Sequence, residues 1–148
     1  MVDRPQSSAS HLPYPSYHLP VLPCMKFEDL EAWREARILS KDIYALTRTG
    51  SLSRDLRLCS QVQAAAVSVM SNVAEGFERT GNQEKLHFYN IARASCGELR
   101  SQLYIMEDVY TESSAKTSEL REGAESVGRL ISGLIASTRR RVAGAAKE

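Results

Sequence analysis

The chain has 148 residues, of which 43% are hydrophobic and 25% are charged, and its formal net charge is +1. The length is sufficient for one domain with a sizeable core, and the composition is typical of a soluble protein. A net charge so close to zero excludes an overall basic field of the kind that attracts nucleic acid.

Residues 1–24 differ in composition from everything that follows. All five prolines lie in this segment, mixed with serine, histidine and tyrosine. Because proline fixes φ and removes a backbone donor, the segment cannot be a regular helix, and we expect a disordered or loosely attached tail. Helical periodicity begins abruptly after Met25, so one hypothesis is that Met25 is the true start of the protein.

The first amphipathic segment runs from about Asp29 to Thr49. Asp29 is expected to cap its N-terminus, Gly50 to end it, and Ser51 or Ser53 to cap the next helix. The apolar positions recur at steps of three and four, as on one side of an α-helix. They are Ala32, Ala36, Leu39, Ile43 and Leu46.

The second segment runs from about Arg54 to Phe77, and its outer surface is unusually small and uncharged. One side carries an apolar stripe, formed by Cys59, Val62, Ala66, Val69 and Val73. The outer surface carries Ala64, Val67, Ser71 and Ala74. Because small side chains let another backbone approach closely, we expect this helix to be buried on more than one side, with an oligomer contact as one explanation.

A third helix is predicted from about Gln83 to Tyr110, after the turn signal Thr80-Gly81-Asn82. Gly76 and Gly81 flank this turn, where loop geometry explains them. The apolar register of the third helix is formed by Phe88, Ala92, Ser95, Leu99, Gln102, Met106 and Val109.

The fourth helix is expected to begin with Ser113 or Ser114 as its cap and to end near Thr138. Its stripe consists of Leu120, Ala124, Val127, Ile131 and Leu134. Residues 139–148 read as a basic C-terminal tail. Because the loops are short and no segment alternates like a strand, residues 25–138 are predicted to form an all-α, antiparallel up-down-up-down four-helix bundle.

Neither the cysteines nor the apolar runs indicate secretion or membrane insertion. The chain has three cysteines, an odd number, and their spacing is not that of a metal or redox site: Cys24, Cys59 and Cys96. We expect Cys59 and Cys96 to be reduced core residues. No run reaches the roughly 18 apolar residues of a membrane span, and no segment resembles a secretion signal. A cytoplasmic location without a membrane partner is expected.

The clearest enzymatic site for a four-helix bundle would be a di-metal carboxylate centre, which needs two Glu-x-x-His units. Glu84 and His87 form one unit, but the other histidines, His11 and His18, lie in the proline-rich tail. No nucleophile elbow or phosphate-binding glycine loop is present either. We therefore expect a protein with no catalytic residue, no metal and no cofactor, and interpret His87 as a surface residue.

A polar stripe runs beside the apolar stripe of the second helix and is expected to face the third helix. The predicted hydrogen-bonded network, with Arg79 or Arg93 near its ends, consists of Gln61, Ser68, Asn72, Glu75, Glu98 and Gln102. We interpret it as fixing the register of the bundle or a contact between subunits. The alternatives are a ligand or cation site, and an enzymatic site around Glu75, Glu98 and His87.

Arginines form the remaining candidate site. Two clusters stand out, one at the corner between the first two helices and one at the end of the fourth: Arg48, Arg54 and Arg57, and Arg139, Arg140 and Arg141. Single clusters of this size are typical of a solvated surface. In a ring of several subunits they would repeat as a belt of positive charge, and phosphate contacts would add up to salt-dependent binding of RNA or DNA.

Four stretches together resemble one bacterial family: LEAWREARILSKDIY, QVQAAAVSVMSNVAEGFERTG, FYNIARASCGELRSQL and VGRLISGLIAS. The most specific part is Asn72-Val73-Ala74-Glu75-Gly76 followed by Arg79, together with Glu98-Leu99 and Gln102-Leu103. On these residues, over about Phe27 to Arg141, the chain resembles the four-helix bundle family of 23S-rRNA intervening-sequence proteins. The accessory variability determinant (Avd) proteins of diversity-generating retroelements are related to that family.

The resemblance implies a non-enzymatic bundle that assembles into a homopentameric, barrel-like ring. In the retroelement branch, it implies a ring that binds nucleic acid and associates with a reverse transcriptase during copying of a template RNA. The expected function is therefore a homo-oligomeric accessory protein that binds nucleic acid or a ribonucleoprotein. The alternative is a structural scaffold for a protein partner, without nucleic-acid binding.

Overall fold

The computed structural model describes residues 25–146, and these residues form four α-helices. The helices are Glu31–Leu46 (α1), Leu56–Glu78 (α2), Asn82–Val109 (α3) and Ser114–Ala145 (α4). Short turns of 3-10 helix lie at Phe27–Asp29, Ser51–Arg54 and Thr111–Ser113. The all-α, four-helix prediction is confirmed, and residues 25–146 contain no strand. The tail predicted for residues 1–24 lies outside the described residues.

Contacts along the whole length of α2 and α3 show that these two helices are antiparallel. The Tyr110 hydroxyl, just after α3, donates to Asp55, just before α2, at 2.8 Å. The Ser68 and Ser95 hydroxyls meet at 2.8 Å near the middle of both helices. At the opposite end, the Lys85 ammonium at the start of α3 donates to the Phe77 carbonyl at the end of α2.

The remaining neighbours are also antiparallel. Ser40 in α1 donates to the Ala66 carbonyl of α2 at 3.1 Å. Arg121, early in α4, donates to Glu107, late in α3, at 3.2 Å. Consecutive helices therefore run in opposite directions, as short connections favour. No helix within residues 25–146 combines the length and apolarity needed to cross a membrane.

The core is built from the predicted stripes of α1, α2 and α4, apart from Leu46 and Leu134, which are half-buried, and it is shifted on α3. The buried residues of α3 are Tyr89, Ala92, Ser95, Cys96, Leu99, Leu103 and Met106. Phe88 and Gln102, predicted as core, are only half-buried, and Val109 is 61% exposed. The reason is that α3 packs against both α2 and α4, so that its apolar face is wider than a single stripe and includes Tyr89, Cys96 and Leu103 at steps of seven.

Ser113 occupies the N-cap position of α4 as predicted, whereas the predicted caps of α1 and α2 are replaced by other residues, because 3-10 turns shift the starts of these two helices. Asp29 accepts from the Lys26 amide at 2.9 Å within such a turn, and Leu30 occupies the N-cap of α1. Ser51 and Ser53 also lie in a 3-10 turn, and α2 is capped by Asp55, which accepts from the Leu58 amide at 3.0 Å.

The fourth helix ends later than the sequence predicts. We expected it to end near Thr138, with a tail from residue 139, whereas α4 continues to Ala145. Arg139, Arg140 and Arg141 are therefore helical. The reason is that arginine and alanine are good helix formers and no proline interrupts the segment.

Candidate nucleic-acid interface

The six arginines predicted to contact nucleic acid lie at opposite ends of the bundle. One cluster surrounds the end of α1 and the start of α2, and the other lies near the end of α4: Arg48, Arg54 and Arg57, and Arg139, Arg140 and Arg141. The 23 residues of α2 separate the two ends by about 34 Å. A single copy of the chain therefore presents two separate basic patches rather than one continuous belt.

All six of these arginines are exposed. The ion pairs found within residues 25–146 involve other cations, namely Arg79, Lys116, Arg121 and Arg129. Arg48 lies against an aromatic ring, with its guanidinium carbon 5.6 Å from the centroid of Tyr44. The charges of both clusters thus face solvent, where a phosphate backbone could reach them.

Two half-buried hydrogen bonds to Asp55 fix the corner that carries Arg54 and Arg57. Asp55 accepts from both the Leu58 amide and the Tyr110 hydroxyl. The hydrogen bond from the Leu58 amide lowers the pKa of Asp55 most. The hydrogen bond from Tyr110 and the nearby charge of Arg57 lower it further. The same bond to Asp55, together with burial, raises the pKa of Tyr110. The arrangement ties the start of α2 to the end of α3.

The predicted polar network divides into separate parts. Ser68 contacts Ser95 across the α2–α3 seam, and Asn72 donates to the Ser68 carbonyl at 2.8 Å and to its hydroxyl at 3.1 Å. The pair of serine hydroxyls therefore links the two helices at this level, and Asn72 supports Ser68 from within α2. On sequence alone, Ser95 is assigned to the apolar register of the third helix and not to the polar network.

The longer polar side chains remain on their own helices. Gln102 donates to Glu98 at 3.2 Å within α3, and Glu75 pairs with Arg79 within α2. Gln61 is exposed. The Glu75 and Glu98 side chains are exposed, whereas Gln102 is half-buried and its Oε1 has no hydrogen-bond partner within residues 25–146.

The remaining candidate side chains within residues 25–146 are His87, Cys59 and Cys96. His87 is exposed and lies edge-on to Phe88 with ring centroids 5.2 Å apart. Among the residues that the structure describes, no three His, Cys, Asp or Glu side chains come together as metal ligands. Cys59 and Cys96 are buried free thiols, as predicted, and burial raises the pKa of Cys59 and raises that of Cys96 to about 11. Burial thus disfavours the reactive thiolate form of both residues.

Sequence reasoning placed Arg93 near the end of the polar network and did not group it with two other arginines that lie between α3 and α4. Arg93 and Arg100 of α3 and Arg129 of α4 line a cavity of about 300 Å³. The other lining residues are mostly small: Cys96, Gly97, Ala124, Glu125, Gly128 and Ser132. The sequence does contain a signal for this group. Arg93, Gly97 and Arg100 are spaced at steps of four and three, which places two arginines and a glycine without a side chain on one side of a helix.

One family model matches this chain. It is that of the 23S rRNA-intervening sequence protein, and it matches residues 28–133, which include α1, α2, α3 and most of α4. The chain belongs to this family. A comparison with curated proteins finds no match. The part that matches the intervening-sequence family contains the arginines of the α3–α4 cavity and of the α1–α2 corner, whereas Arg139 to Arg141 lie beyond it.

Proposed function

We propose that this member of the intervening-sequence family is a non-enzymatic, homo-oligomeric accessory protein that binds nucleic acid or a ribonucleoprotein. The observation that carries the proposal is the presence of exposed arginines at both ends of the bundle, none of which pairs with a carboxylate among residues 25–146. Arginine is well suited to phosphate, because its planar fork donates two parallel hydrogen bonds. Binding of this kind contacts the backbone, so it depends on salt and little on sequence.

Self-association is supported by the outer surface of α2 and α3. Ile91, Ile105 and Val109 are exposed on one side of α3, and Ile105 is 55% exposed. On α2, the neighbouring outer positions include Ala64 and Val67, which are exposed as well. A second copy of the chain would remove this apolar surface from water and would multiply the arginine clusters. The resemblance drawn from the sequence implies five copies.

Replacement of two arginines in α4 tests the electrostatic part of the proposal. We expect Arg139→Ala with Arg140→Ala to weaken the binding of different RNA sequences about equally. The slope of log affinity against log salt should become shallower by about 0.7 for each phosphate of a single-stranded RNA that the variant no longer neutralises. Fluorescence anisotropy with a labelled RNA at several salt concentrations measures both quantities.

A matched control is the double variant Arg79→Ala with Lys116→Ala. It removes the same amount of positive charge, but both cations are already paired with carboxylates, Glu75 and Glu119. We expect it to change the salt slope little. Equal affinity and slope in the arginine variant and in the wild type would show that this cluster does not contact the ligand.

A scaffold for a protein partner is the second candidate function, and the net charge of only +1 favours it. Affinity capture from the native host, with and without nuclease, separates the two candidates. Nucleic-acid binding predicts that the captured material disappears after nuclease treatment, whereas a scaffold predicts one protein that nuclease does not release. A captured reverse transcriptase would support the retroelement role that the resemblance implies.

A further inference from the structure

The α3–α4 cavity combines an opening in the helix packing with converging positive charge. Its floor is formed by small residues: a Cβ added at Gly97 would meet no atom within 4 Å, and one added at Gly128 would lie 3.8 Å from Cys96. The cavity is therefore a gap between α3 and α4, and Arg93, Arg100 and Arg129 belong to its lining.

The charges in this cavity are not balanced. Glu125 is the one acidic residue in its lining, and it is paired with Arg129 at 3.2 Å. Arg93 and Arg100 form no ion pair with any residue of the described range 25–146. Two guanidinium groups are thus left without an anion beside a space of about 300 Å³.

Arg100 also has an unsatisfied donor. Its Nε atom is buried and has no hydrogen-bond partner within the described part of the chain. A buried N–H without an acceptor is costly, and the cost is larger when the group is charged. An oxyanion in the cavity would be attracted by the two unpaired arginines, and a small rotation of the Arg100 side chain would let this Nε donate to it.

We propose that Arg93, Arg100 and Arg129 form a phosphate-binding site between α3 and α4, which takes one phosphate group of a bound nucleic acid. This proposal rests on the proposed function for the choice of nucleic acid as the source of the phosphate. Arginine recognises phosphate through two parallel N–H donors, and a floor without large side chains lets the group approach the helix backbones. Glu125 competes with the phosphate for Arg129.

The test compares affinities for a labelled single-stranded RNA at low salt. We expect Arg93→Ala with Arg100→Ala to bind roughly tenfold more weakly than the wild type, the equivalent of losing one charged hydrogen bond. Arg100→Lys keeps the charge but loses the Nε donor, and we expect a smaller loss of affinity. Glu125→Gln releases Arg129 and should bind more tightly. The variant Arg79→Ala with Lys116→Ala again controls for net charge.

Inorganic phosphate provides a second arm that does not depend on nucleic acid. In ¹⁵N-labelled protein, the Arg100 Nε–H resonance should shift as phosphate is added, and sodium chloride of equal ionic strength should not reproduce the shift. Weaker RNA binding together with this shift supports the site. The site is also supported, and the proposed function overturned, if phosphate shifts this resonance while the wild type binds no RNA.

Two results would overturn the phosphate site. The first is that Arg93→Ala with Arg100→Ala leaves the RNA affinity unchanged while Arg139→Ala with Arg140→Ala weakens it. The protein would then bind RNA without using this cavity. The second is an Arg100 resonance that does not respond to phosphate. A circular dichroism melt close to that of the wild type shows that each variant is folded.

Discussion

At the residue scale, Asp55 shows how one side chain connects two helices and senses pH. It caps α2 through the Leu58 amide and accepts from the Tyr110 hydroxyl at the end of α3. The sequence could not identify it, since Ser51 and Ser53 are equally good capping residues by type. The choice depends on the 3-10 turn at Ser51–Arg54, which places Asp55 directly before the helix.

We predict that Asp55→Ala lowers the stability of the protein at neutral pH and that the effect disappears in acid. The folded-state pKa of Asp55 lies below its ordinary value of 3.8. Its contribution is thus present above pH 3.8 and is lost as the pH falls through the lowered pKa. Urea unfolding of the wild type and the variant between about pH 6 and about pH 2.5 measures the difference.

The control for this prediction is Tyr110→Phe. It removes the hydroxyl bond but leaves the cap at Leu58 intact, so that it should destabilise the protein less than Asp55→Ala. A difference between the wild type and Asp55→Ala that stays constant across the whole pH range would contradict the assignment.

At the element scale, periodicity predicted the four helices and most of the core, but not how closely the helices approach one another. Gly76 illustrates the difference. The sequence placed it beside a turn, whereas it is buried inside α2 with Tyr89 of α3 packed against it. Likewise, the pattern of α3 indicated one stripe, since a single sequence does not show that this helix contacts two neighbours.

We predict that Gly76→Ala destabilises the protein by about 1 to 3 kcal/mol, the usual cost of overpacking. A Cβ at this position would lie 2.6 Å from the Tyr89 ring, which is itself buried. Gly133→Ala is the control, because a Cβ there meets no atom within 4 Å and alanine favours the helix. Chemical denaturation measures both variants, and equal stability of the two would show that α2 and α3 can separate at no cost.

At the scale of the whole molecule, the sequence identified the arginines that stand in clusters but not the group that folding assembles. Arg48, Arg54 and Arg57 are close in sequence, and so are Arg139 to Arg141. Arg129 is 29 residues or more from Arg93 and Arg100, and only the packing of α3 against α4 brings them to one cavity. The separation of the two predicted clusters to opposite ends likewise follows from the antiparallel arrangement.

We predict that Ile105→Glu abolishes the proposed self-association without unfolding the protein. Ile105 is 55% exposed on the outer surface of α3, so a charge there is tolerated in the monomer but not in a contact between copies. Ile38→Glu is the matched control, since Ile38 is 49% exposed on α1. Light scattering after size-exclusion chromatography gives the mass of each variant, and an unchanged mass for Ile105→Glu would place the contact elsewhere.

The most direct measurement is size-exclusion chromatography with light scattering of the full chain, with and without a structured RNA, at low and at high salt. We predict an oligomer that gains mass with RNA at low salt and releases it at high salt, since exposed arginines contact phosphates. An oligomer with the same mass in the presence of RNA at low salt would contradict nucleic-acid binding and would favour a scaffold for a protein partner.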